Sequence, residues 1–332
     1  MTSIKHFGYL PLAFLLILGM FDQKAHSQEV QKAQEVQKAQ QEQQEEGLQA
    51  ENIASQLSES DLLEPLIQIA HEKKSKNTPQ LAARVTPQKK PLCPFNLIQR
   101  PNEHPLRPAL RMAEECLTHI DKEIADYSAV LIKQERINGQ LGEEQAAFVK
   151  VRHQPFGVYM FFLKPCKGRE VLYNDAPDGT KGVLVAMDCG WKRRFGKLEF
   201  DPEGNMAMNG QKYPIMKLGI RELTKELIDV ANADVNFGEC KVNYSQRVMN
   251  GRSVTMLEVV HPTPRKNFRF YKAQIFMDNE LRVPIRYAAY LWPENPGEKP
   301  PLEEVYTYLK LKTNNGFTDK DFDRENPEIF KD

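Results

Sequence analysis

The sequence predicts an α+β domain in which a strongly curved antiparallel sheet of about ten strands packs on two helices. Three observations carry this. Beyond Tyr127 the helical spacing of apolar residues gives way to short extended runs. Asn138-Gly139, Asp178-Gly179 and Asn250-Gly251 fall between successive runs, and such dipeptides supply the positive-φ turns of hairpins, hence antiparallel pairing. The run Phe156–Leu163 is nearly all apolar. As a strand it points Phe156, Val158, Met160 and Phe162 one way and Tyr159, Phe161 and Leu163 the other. A sheet with one wet face would alternate apolar and polar residues, so both faces here must be covered, by core on one side and by helix or ligand on the other. Eight apolar residues also suit a buried helix, but Gly157 inside the run, Pro155 and Pro165 around it and its aromatic content favour a strand.

The N-terminus reads as a signal peptide, residues 1–27. Lys5 and His6 precede an apolar stretch, Phe7–Phe21, and Ala25-His26-Ser27 gives a small–x–small pattern before a cut near Gln28. The stretch is short for a membrane span, although length alone leaves an uncleaved anchor open. No cysteine near the cut would carry a lipid. The mature chain is therefore expected to be exported, periplasmic or extracellular, and not membrane-spanning. Residues 28–108 read as a linker. QEVQKA occurs twice and QQEQQE follows, a tract without the apolar face needed to offset ordering entropy. A short helix is expected near 61–70, and seven prolines between 77 and 108 extend the chain up to a folded domain at 109–332.

Within that domain Pro108 suits a first helical position, and Ala113, Cys116, Leu117, Ile120 and Ile124 form a stripe. Strands are expected at 128–137, 145–152, 155–163, 170–174 and 183–187, then a helix at 220–231. Strands follow at 241–248, 253–261, 268–277, 281–292 and 303–311. Asn209-Gly210 marks one more turn, and Thr318 with Asp321 has the capping pattern of a final short helix. Several of these strands are apolar on both faces, so the sheet should curl around its helices rather than lie flat.

DYSAVLIKQERINGQL (126–141), VKVRHQPFGVYMFFLKPCKGREVLY (149–173) and YTYLKLKTNNGFTDKDFD (306–323) resemble a domain-of-unknown-function family, number 1571, of secreted bacterial proteins. The likeness covers roughly Ala109 to Phe330. That family is more distantly similar to the periplasmic lipoprotein-carrier (LolA/RseB-like) fold, a curved antiparallel half-barrel with helices in its mouth. The resemblance implies binding of acyl chains, or sensing of lipidated or unfolded envelope proteins. It carries over no catalytic residues.

Lys+Arg and Asp+Glu balance at 45 each, so no global field points to nucleic acid, and no local basic patch stands out. His119, His153 and His261 form no helical metal pair, and no nucleotide or nucleophile motif occurs. No cofactor and no metal are expected. Asp319, Asp321 and Asp323 lack the glycine and the final Glu of a calcium loop. Glu135 and Glu170 could serve as acid and base if they met in a cleft, but their basic neighbours favour ion pairing on the sheet. Five cysteines in an exported chain invite disulfides. If residue 170 lies opposite 187, then Cys189 lies opposite 168 and close to Cys166, which gives a Cys166–Cys189 bridge. Cys93 with Cys116 is a second pairing, which leaves Cys240 over.

The remaining functional feature is the apolar supply on both sheet faces. It is either plain core or the lining of a cavity, with Tyr159, Phe161 and Tyr173, or else Met160 and Phe162, facing an apolar ligand. The reading is an exported non-catalytic binding protein for a lipid, acyl chain or lipidated peptide. An envelope protein-interaction or sensor module without a small-molecule ligand is the alternative, and a Glu135/Glu170 hydrolase the third. Expected partners are a hydrophobic ligand or lipidated protein and an envelope protein, not nucleic acid.

Overall fold

A computed structural model describes residues 93–331, apart from 177, 238 and 296. The expected signal peptide, the Gln/Glu tract and the helix near 61–70 lie outside the described residues. Helix α1 (Arg107–Glu123) comes first. It is followed by β1 (Asp126–Ile137), β2 (Gln140–Leu141), β3 (Gln145–Arg152), β4 (Gly157–Lys164), β5 (Glu170–Asn174), β6 (Leu184–Met187) and β7 (Leu198–Phe200). After helix α2 (Ile220–Asp234) come β8 (Lys241–Met249), β9 (Arg252–Val260), β10 (Lys272–Asp278), β11 (Pro284–Tyr290) and β12 (Leu302–Thr313). Among the described residues no helix is long and apolar enough to cross a membrane.

The strands make one twelve-stranded antiparallel sheet, ordered β7-β6-β5-β4-β3-β1-β12-β11-β10-β9-β8, with β2 folded back on β1. The first strand thus sits mid-sheet, next to the last, and the chain meanders outward to β7 and returns from the far edge at β8. The sheet does not close; it is a curved half-barrel around the helices. Twelve strands replace the expected ten because β2 and β7, at two and three residues, are too short to show a period. The Asn-Gly turns work as read. Asn138 and Gly139 both have positive φ where Ile137 pairs with Gln140, and so do Asn250 and Gly251 where Met249 pairs with Arg252.

On the concave face α1 buries Ala109, Met112, Cys116 and Ile120, one helical stripe. The N-terminus of α2 is pinned by the buried Tyr127, whose hydroxyl accepts the Ile220 N–H at 3.1 Å. Gly219, at φ 122°, comes so near that a Cβ there would lie 2.8 Å from this hydroxyl, so a side chain has no room. Residues 93–108, expected as the end of a linker, pack on this core: Phe95 and Leu106 are buried beside Ala109 and Met112. Cys93 and Cys116 are both free thiols, as is Cys240, so the second disulfide pairing does not form.

The convex face of β4–β6 is covered by the end of the chain itself. Tyr159, Leu172 and Val185 pack against Phe322, Ile329 and Phe330, with Phe161 and Phe317 at the margin. Polar anchors hold this segment down. The buried Asp126 carboxylate accepts the N–H groups of Asn315 at 2.6 Å and of Gly316 and Phe317 at 3.0 Å. Thr318 and Asp321 form the expected capping box around the 3₁₀ turn Asp319–Phe322. Farther along, Glu170 accepts the Phe330 N–H at 2.8 Å. Removing a buried charged acceptor leaves several donors unpaired. Asp126→Ala is therefore expected to lower unfolding free energy by about 3 kcal/mol in urea titration and to speed amide exchange across residues 315–330. Unchanged exchange there would show that Asp126 does not hold the segment.

Candidate functional site

A cavity of about 760 Å³ lies between the concave sheet face and the two helices. Its helical wall comes from Ala109, Met112 and Ala113 of α1 and from Leu223, Leu227 and Val230 of α2. The α2 residues recur at i, i+4, i+7, the core-facing stripe of a helix. They stay only half-buried because they face this space. Leu131, Met160, Phe162 and Ile275 are on the sheet wall.

Register decides which aromatic residues face inward. Leu131 pairs with Ala147 and Ala147 with Phe162; Val149 pairs with Met160 and Met160 with Val171. Paired residues share a face, so Met160 and Phe162 line the cavity, while Tyr159 and Phe161 point to the convex side under the chain's end. Tyr173 belongs with neither expectation. It pairs with Val158, hence faces the concave side, away from Tyr159 and Phe161. It is nevertheless outside the cavity wall, donating its hydroxyl to Asp175 at 2.7 Å and accepting the Gly182 N–H at 3.3 Å. Burial, then the Asp175 bond, pushes its phenol up to about 12.

One end of the cavity is polar, and sequence reading singled out only Glu135 there. Glu135 is buried and accepts the Tyr306 hydroxyl at 2.6 Å, the Lys212 backbone N–H at 3.1 Å and the Lys133 ammonium at 3.2 Å. Lys133 also donates to Gln211 at 2.5 Å. The Lys212 ammonium reaches Glu303 at 2.6 Å and Glu304 at 2.9 Å, and the Tyr213 hydroxyl lies 3.1 Å from Glu304. Burial opposes the charge on Lys212, but its bond to Glu303 and the charge of Glu304 win, so its pKa is raised. Burial, followed by the Glu135 and Glu304 charges, holds Tyr306 neutral far into alkali. The visible signal was Glu304, Tyr306 and Tyr308 at period two on a strand facing the core. The loop that brings Gln211, Lys212 and Tyr213 is distant in sequence and gave none.

Glu170 lies on the other face. Phe161 pairs with it, and its carboxylate takes the Tyr159 hydroxyl at 2.7 Å and Arg193 at 2.8 Å. Glu135 and Glu170 therefore stand on opposite sides of the sheet and do not meet in one cleft. His153 is bonded to the Ile124 carbonyl at 2.8 Å, and the buried His261 faces Asp234 at 3.3 Å. Among the described residues the grouped metal-type donors are Cys166, Asp188 and Cys189, and the two cysteines form the expected disulfide, with Cα atoms 5.8 Å apart. Its register premise holds, since Glu170 pairs with Met187.

Residues 124–329 match the family described as Protein of unknown function (DUF1571). The chain belongs to that family. No curated protein matches this DUF1571 chain. Among solved structures it is similar to an uncharacterized conserved protein from Thermus thermophilus, with 13% identity over 63% of this chain and 91% of that one, TM-score 0.35. Mycobacterium tuberculosis lipoprotein LppX is 12% identical over 63% of this chain and 98% of that one, TM-score 0.32. A LolA superfamily protein from Nitrosomonas europaea is 13% identical over 64% and 97%, TM-score 0.18. At these identities the likeness is one of fold alone.

Burial also raises the phenols of Tyr127, Tyr159, Tyr213, Tyr287 and Tyr308. A phenol whose folded pKa exceeds its unfolded value of about 10 adds stability that is complete below pH ~10 and is lost as pH rises toward the folded value. Alkaline titration should thus show these tyrosines ionising together with loss of ellipticity, in one step. Smooth tyrosinate formation in a chain that keeps its ellipticity would contradict their burial.

Proposed function

We propose that this DUF1571 protein is an exported, non-catalytic binding protein whose cavity takes up an acyl chain, as part of a lipid or a lipidated peptide. The observation that supports it is the cavity of about 760 Å³ walled by both helices and the sheet, a volume usual for small-molecule sites. A scaffold would have its helices packed onto the sheet at that place. Met160 and Phe162 on β4 and Leu227 on α2 are the ligand-lining residues of this reading, and the Glu135–Tyr306–Lys212 end receives the ligand's polar part. An acyl chain gains ~0.8 kcal/mol per buried CH₂, so about ten give ~8 kcal/mol before ordering costs. That corresponds to roughly micromolar affinity, suited to a carrier that must also release.

A second reading, an envelope protein-interaction module, draws on the unpaired edge of β8, where another chain's strand can add. Uptake of a fluorescent fatty acid by the delipidated protein separates the two. About one probe per chain is expected, with micromolar affinity. Leu227→Trp, which fills the space from the half-buried helix wall, should weaken uptake at least about tenfold. Phe161→Ala, on the convex face, should leave it unchanged. Absence of saturable uptake would remove the carrier reading and leave the interaction module.

A further inference from the structure

The Cys166–Cys189 disulfide joins two basic segments. Residues 164–169 and 188–199 together hold seven Lys or Arg and two Asp or Glu, in a chain whose overall charge is zero. Between Cys189 and β7 the chain makes a 3₁₀ turn, Gly190–Phe195, sequence GWKRRF. Its third basic-aromatic position is turned inward: Arg193 donates to the Gly168 carbonyl and to the buried Glu170, both at 2.8 Å. That anchor turns the neighbouring side chains outward. Trp191 is 61% exposed and Phe195 59%. Their rings meet edge-on at 5.8 Å, and the Arg194 guanidinium lies over both, 4.7 and 5.4 Å from the ring centres. Arg193 and Lys197 are ion-paired; among the described residues Lys192 and Arg194 form no close ion pair, although the Lys192 charge helps to lower the pKa of Asp188. Lys167, across the disulfide, is exposed as well.

We propose that this turn docks the protein on an anionic lipid bilayer surface. Its chemistry matches that surface on two counts. Unpaired cations are drawn to anionic headgroups, and a tryptophan beside a phenylalanine prefers the headgroup–acyl boundary. An ordinary soluble surface has no need to hold two large aromatic rings in water next to unpaired positive charge. Position gives the docking a use. The strand that follows the turn is β7, whose Leu198 and Phe200 line the cavity, and Met206, also on its wall, is 75% exposed. Docking of the turn therefore brings β7, which begins three residues beyond Phe195, near the bilayer. The docking itself does not depend on what the cavity holds, because it is measured without a ligand.

The test is co-sedimentation of the purified chain with vesicles of phosphatidylglycerol and phosphatidylcholine, set against phosphatidylcholine alone. Binding to the anionic vesicles is expected, with a blue shift of Trp191 emission that persists in Trp292→Phe. Lys192→Gln with Arg194→Gln should weaken partition about 30-fold, the factor carried by two surface charges, and Trp191→Ser with Phe195→Ser about tenfold. All four side chains are exposed, and circular dichroism of each variant verifies the fold. No preference for anionic vesicles, or binding indifferent to these four residues, would overturn the proposal. So would self-association abolished by Trp191→Ser in a chain that binds no vesicles, which would make the turn a contact between copies.

Discussion

The constraint on which this fold depends is that β4 has no polar face. Every residue from Gly157 to Met160 is buried, as are Phe162 and Leu163. A strand apolar on both sides needs a cover on each, and the chain supplies two of different kinds. On the concave side the cover is a pair of helices held over a cavity. On the convex side it is the last stretch of the chain, which has little regular structure and is attached by buried carboxylates. Asp126, at the start of β1, holds its beginning, and Glu170, on β5, holds its end. Since β1 lies mid-sheet against β12, the segment leaving β12 emerges beside Asp126 and needs only to cross β3 and β4 to reach Glu170.

That arrangement explains how the sequence reads and where it stops reading. The Cys166–Cys189 bridge was legible because it follows from a single local register, Glu170 opposite Met187, fixed within one hairpin. The Asn-Gly turns were legible for the same reason: their φ demands are met by the residues themselves. The alternation along β4 was legible, and so was the need to bury both its faces. Which face is concave was not, because parity along one strand says nothing about which cover lies on which side. Tyr173 was grouped with Tyr159 and Phe161 on chemistry; the pairing of Tyr173 with Val158 puts it on the opposite side. The convex cover gave no signal because FTDKDFD reads as a capped turn, and its aromatic residues find Tyr159 only through a contact more than 150 residues away in sequence.

The basic turn at Gly190–Phe195 shows a related limit. Its composition is plain in the sequence, yet a chain-wide balance of charges concealed it, and WKRRF reads equally well as a strand end. Exposure comes from tertiary structure. Glu170 takes Arg193 out of solvent, and the disulfide closes the turn's base, so the neighbouring rings face outward. Glu170 is thus shared by both devices: it ties down the terminal segment on one oxygen and the turn on the other.

The polar end of the cavity is best understood by what it costs. Taking Lys133, Glu135 and Glu304 out of water is expensive, and a buried charge network is commonly no more stable than well-packed apolar residues of equal volume. A core selected for stability alone would therefore fill this end with hydrophobic side chains. What the network does give is a set of hydroxyls and paired charges whose partners are already in place, so that nothing has to be desolvated anew when a polar group arrives. Tyr306 and Tyr213 are held neutral there, and neutral hydroxyls both donate and accept. On the carrier proposal, an apolar chamber with such an end would favour an amphiphile over a plain hydrocarbon, which would leave the end unmatched.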